Sequence, residues 1–159
     1  MRWQDALRRG LPGLWAGLLA AIAFVAMPAA FAVLDREAAG RLARAVFERE
    51  AQLSVVLGIV LAMLERRAAD DAVLQPEPAS DDDDPGPPRR GDPFTAGVLL
   101  PLGAIFCTVA GFYGLQPMME QARAGMPTAL GFGQLHALSL AFFGAKGLMV
   151  LGLARRALR

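Results

Sequence analysis

The chain is poor in the side chains that carry most protein chemistry. Among 159 residues there is one cysteine, one histidine and, within 16 basic residues, a single lysine. The lone Cys107 cannot form an internal disulfide, and its place in an apolar run beside Phe106 marks it as a small buried hydrophobe. There is no CxxC pair, no HExxH helix, no phosphate-cradling glycine loop and no serine–histidine–acid set. No nucleophile–base pair is evident, so the sequence predicts a non-enzymatic protein. A net charge of +1 with no basic face to follow a phosphate backbone excludes nucleic acid as a partner.

What is abundant is apolar surface: 55% of residues are hydrophobic. Charge is confined to short blocks between long uncharged runs, unlike the mixture expected of a soluble domain. Residues 11–34 and 94–119 carry no charge, and 124–145 extends through Lys146 towards 154. Each exceeds the roughly 20 residues that cross a hydrocarbon core. The run 51–64 is shorter and spans only by recruiting the charged turn before it. The first run is longer than the h-region of a signal peptide, about 7–15 residues, so an uncleaved helix is expected.

The predicted fold is all-α: a polytopic antiparallel four-helix transmembrane bundle, one membrane domain over 1–159, with helices at about 11–34, 42–65, 94–118 and 130–154. Between the second and third helices, about 68–92, a stretch containing "SDDDDPGPPRRGDP" is too polar and proline-rich to bury surface, and reads as a disordered acidic cytoplasmic loop. Arginine counts orient the bundle. Ten (Arg2, Arg8, Arg9, Arg66, Arg67, Arg89, Arg90, Arg155, Arg156 and Arg159) fall on the side of the termini, and five (Arg36, Arg41, Arg44, Arg49 and Arg123) on the other. Both termini are therefore expected in the cytoplasm, with the chain multi-pass in a bacterial inner membrane and the lipid bilayer its first partner.

In lipid, small residues permit close helix approach. Each run carries them at spacing four, and Gly17, Gly58, Gly111 and Ala141 are the central packing positions. These faces could equally seat another membrane protein or a second copy of the chain.

The proposed topology brings polar residues together in one half of the membrane. They are Glu48, Glu50 and Gln52 at the start of helix two, Gln116 at the end of helix three, and His136 with Ser139 at the start of helix four. Glu48 and Gln52 share a face, and Arg44 precedes Glu48 by four and can pair with it. The candidate cluster is His136, Glu48, Gln52, Gln116 and Ser139. His136 is read as a polar clamp to Glu48, Gln52 or Gln116, against a proton or metal role or an exposed interfacial ring. Lys146 has two readings: a snorkelling cation near the cytoplasmic headgroups, or a bundle-facing partner of an anionic ligand or lipid. Met118 and Met119 with His136 offer thioether and imidazole donors for copper(I). The simpler reading of these methionines is apolar filler, with no cofactor.

Three segments, "LWAGLLAAIAFVAMPAAFAVL" at 14–34, "RLARAVFEREAQLSVVLGIVL" at 41–61 and "FGQLHALSLAFFGAKGLMVLGLARR" at 132–156, resemble the domain of unknown function 4149 family. These are small bacterial membrane proteins similar to the eukaryotic transmembrane protein 205. The most specific element is Phe132, Leu135, His136 and Ser139, with the turn Phe47–Glu48 beside it. The resemblance implies a four-helix membrane bundle, draws attention to His136 and Ser139, and supplies no reaction. The expected role is small-molecule or metal handling or envelope homeostasis, with a structural or assembly module as the competing class.

Overall fold

The computed structural model describes residues 3–73 and 95–158, and among these residues every regular element is helical. There are four long helices: α1 (Trp3–Val33), α2 (Arg36–Val73), α3 (Ala96–Arg123) and α4 (Phe132–Ala157). Helix α1 begins at Trp3 rather than near 11, and α2 extends at both ends beyond 42–65. Residues 68–73, expected to open the acidic loop, continue α2; the stretch 74–92 lies outside the described residues. α1, α3 and α4 are long and apolar enough to cross a membrane. α2, at 38 residues, carries charged turns on either side of its uncharged 51–64 stretch.

Local chemistry sets the helix starts and bends. Asp35 caps α2 by accepting the Ala38 N–H at 2.8 Å, and Gln134 reaches back to the Gly131 N–H at 3.0 Å ahead of α4. Gly125, with φ of 73°, takes the left-handed conformation just after α3. α1 and α3 each widen into a π segment, at Ile22–Ala26 and Val109–Gly114. Pro28 and Pro117 follow these segments. Proline donates no N–H and crowds the carbonyl four residues back, here Phe24 and Tyr113, so an extra residue in the turn relieves both defects.

The helices pack in a ring in which α1 touches α2 and α4, and α3 touches the same two. Facing positions run in opposite directions along α1–α2 and along α2–α3. Trp15 meets Ser54 while Arg8 meets Glu65, and Arg44 meets Glu120 while Gly97 faces Glu65. The core is small: Trp15, Leu19, Leu61, Ala104, Val150 and Leu153 are buried together. Much of the outer surface is apolar, with Phe24 81% and Leu148 73% exposed, which suits helices that meet lipid rather than water.

The four small-residue positions fare differently. A Cβ on Gly58 would meet Ile105 at 2.5 Å, and one on Gly111 would meet Phe142 at 2.5 Å, so both glycines admit a neighbouring helix. Gly17 has nothing within 4 Å of that point, and Ala141 is exposed. The stripes expected to pack α1 and α4 at Gly17 and Ala141 thus lie on the outer surface. The bundle instead closes those helices through Trp15, Leu19, Val150 and Leu153, larger side chains on the other side of each helix.

Candidate functional site

A cavity of about 320 Å³ opens between the helices in the half of the bundle holding the α1–α2 and α3–α4 connections. Both π segments contribute to its wall, through Ala23 from the first and Gly111 and Phe112 from the second. The widened turns leave backbone groups without their usual partners, and one is reused at the site. The Leu115 N–H bonds the Phe112 carbonyl rather than that of Gly111. The Gly111 carbonyl instead accepts from Ser139 Oγ on α4 at 3.3 Å.

At the cavity's inner end lies a charged network that sequence reasoning missed. Lys146 Nζ donates to Glu50 Oε1 and Oε2, both at 2.7 Å, and the two side chains are 3% and 2% exposed. Ser54 Oγ donates to the same carboxylate, and Trp15 Nε1 donates to Ser54 Oγ at 3.0 Å. The chain Trp15–Ser54–Glu50–Lys146 therefore ties α1, α2 and α4 together. No buried side-chain nitrogen or oxygen among the described residues lacks a partner, as a polar network in a low-dielectric interior requires. Lys146 also sits 4.8 Å from the centre of the Phe143 ring.

The cavity walls are mainly apolar, with Met27, Phe31, Phe47, Met119 and Phe143 among them. Arg44, Arg123 and His136 also line it. Arg44 pairs with Glu120 at 2.6 Å, and Arg123 lies 4.9 Å from the centre of the Phe132 ring. His136 stacks on the same ring, centroids 6.0 Å apart and planes at 9°, and is exposed.

Of the sequence-derived cluster, His136, Gln116 and Ser139 line the cavity, and Glu48 and Gln52 do not. Both are exposed, Gln52 accepting from Arg49 at 3.2 Å. The acid turned inward is Glu50, two positions from Glu48 and so more than half a turn round the helix at about 100° per residue. The Arg44–Glu48 pairing is replaced by Arg44–Glu120, because Arg44 leans across to α3. Gln116 turns towards the same acid, Nε2 to Glu120 Oε1 at 3.5 Å. Lys146 does not snorkel; it is buried, and its partner is a residue of the chain itself. One signal could have found the pair: a lone lysine amid apolar residues needs an acid at matching depth, and Glu50 borders the uncharged stretch of α2.

For a metal, Met119 and His136 line the cavity with Met27, whereas Met118 does not. No group of three or more histidine, cysteine or acidic residues is placed to hold an ion among the described residues.

Comparison with known families supplies the assignment. The model of a domain of unknown function, DUF4149, matches residues 11–128. The chain belongs to the DUF4149 family. The match takes in α2 with Glu50 and Ser54, and all of α3, and ends before α4, so His136, Ser139 and Lys146 lie beyond the DUF4149 region. No curated protein and no solved structure matches the chain.

Proposed function

We propose that this DUF4149 protein is a non-enzymatic small-molecule-binding protein of the bacterial inner membrane. Its four helices form an antiparallel transmembrane bundle with both termini in the cytoplasm, and the cavity takes an apolar molecule bearing an anionic group. The observation that carries this reading is the cavity of about 320 Å³, whose lining holds Lys146, Arg44 and Arg123 against a single acid, Glu50. A volume of that size lies at the small end of ligand pockets, and apolar walls with a few convergent polar groups are their usual make-up. Glu50 neutralises Lys146 and Glu120 pairs with Arg44, which leaves Arg123 to meet the anion while the aromatic and methionine walls take the apolar body. A charged pair at membrane depth is costly to bury, so its retention beside a cavity favours a binding role over a purely structural one.

The test is binding of decanoate, decanol and decylamine to the purified full chain in neutral detergent, read by thermal stabilisation. Decanoate should stabilise the protein most, and Arg123→Gln should weaken that effect roughly tenfold, as for loss of one charge-assisted contact. Equal responses to all three compounds, or an unchanged response in Arg123→Gln, would reject the reading.

A second reading, an assembly module, rests on the open small-residue surface at Gly13, Gly17 and Gly133, where nothing lies within 4 Å of an added Cβ. Cysteine placed at Gly17 would form crosslinks in native membranes only under this reading.

A further inference from the structure

At the other end of the bundle, where α1 begins and α4 ends, a separate cavity of about 370 Å³ lies between three helices. Its polar rim consists of Arg8 and Arg9 from α1, Glu65 from α2 and Arg156 from α4, and Pro12 and Leu153 form an apolar side. Three guanidinium groups therefore share the space with one carboxylate. That carboxylate is only loosely engaged: Arg8 Nε lies 3.8 Å from Glu65 Oε1, beyond hydrogen-bond distance. Among the described residues, Arg9 and Arg156 have no carboxylate within ion-pairing reach. Arg8 is half-buried and Arg9 and Arg156 are exposed at the cavity's rim, so the like charges repel across its mouth, and a bound anion removes that repulsion.

The geometry points to a phosphate-binding site in this cavity, formed across the α1–α4 seam by Arg8, Arg9 and Arg156. Phosphate is the anion that suits it, because its several oxygens can meet more than one guanidinium fork at once. Pro12 and Leu153 beside the basic rim give a surface for the apolar part of a phosphate ester. Two sources present that chemistry, the headgroup of an anionic phospholipid and free phosphate. The site is distinct from the Glu50–Lys146 cavity and shares no lining residue with it.

The experiment titrates the purified full chain in neutral detergent with dioctanoyl phosphatidylglycerol, dioctanoyl phosphatidylcholine and inorganic phosphate, following bound lipid by native mass spectrometry and stability by thermal unfolding. Phosphatidylglycerol should bind about tenfold or more tightly than phosphatidylcholine, whose trimethylammonium meets a basic rim. Arg8→Gln with Arg156→Gln should abolish the preference, and Arg156→Lys, which keeps the charge without the fork, should fall between. Arg155→Gln removes a neighbouring charge that does not line the cavity and should leave binding unchanged. Stabilisation by inorganic phosphate equal to that by phosphatidylglycerol assigns the site to free phosphate, and a response to the lipid alone assigns it to the headgroup; both support the site. Equal binding of the two lipids with no response to phosphate would overturn it. So would a loss in Arg155→Gln as large as in Arg156→Gln, which reduces the effect to general surface charge. Circular dichroism on each variant separates lost binding from lost folding, and the response to decanoate should survive in the Arg8/Arg156 variant.

Discussion

Lys146 on α4 and Glu50 on α2, separated by 96 positions in sequence, meet inside the bundle with the ammonium 2.7 Å from both carboxylate oxygens. Removing one partner strands a charge where there is little water. Lys146→Met should therefore destabilise the protein by about 3–5 kcal/mol. The double variant Lys146→Met with Glu50→Gln should recover most of that loss, since neither charge remains. Thermal melts in one detergent decide the matter, and a single variant as stable as the parent would show that the pair is not buried in the folded protein.

Substitutions at the small-residue positions should separate sharply. Gly111→Val puts methyl groups against Phe142, where a Cβ alone would sit 2.5 Å away, and should cost about 1–3 kcal/mol by overpacking. Ala141→Leu adds bulk on an exposed face and should change stability by less than about 0.5 kcal/mol. A large loss from Ala141→Leu would mean that this face packs against something after all.

His136→Leu should leave the melting temperature nearly unchanged, within about 0.5 kcal/mol, because the ring is exposed and stacked on Phe132 rather than bonded to a buried acid. Severe destabilisation would restore the polar clamp inferred from sequence. Copper(I) retained on purification and lost in both His136→Gln and Met119→Leu would instead turn the cavity into a metal site.

Orientation is open to a direct check. Reporter fusions after Ser80 and after Arg159 should both report cytoplasm, as the arginine distribution requires. A periplasmic signal from either would remove the four-span arrangement with both termini inside.

The sequence alone was enough to show that the described residues are helical, because uncharged runs such as 11–34 and 94–119 have one economical outcome in lipid: a helix that satisfies its own backbone. The widened turns ahead of Pro28 and Pro117 were not legible, since Pro12 and Pro101 sit inside regular α-helix with no such segment. His136, Gln116 and Ser139 could be grouped because depth along a helix follows from residue number. Which way a residue faces does not follow from number when a helix is charged all round. The α2 sequence "FEREAQ" offers Glu48, Glu50 and Gln52 as candidates for the interior. Only the packing of α2 against α1 and α3 turned Glu50 inward, towards Lys146 across the bundle on α4 and beside Ser54, which Trp15 of α1 holds. The same holds for Ala141: small residues permit contact on any face that carries them, and the contact made is the one that also buries Trp15, Leu61 and Val150. Tertiary structure decided those choices because burial depends on every neighbouring helix at once, whereas spacing describes one helix at a time.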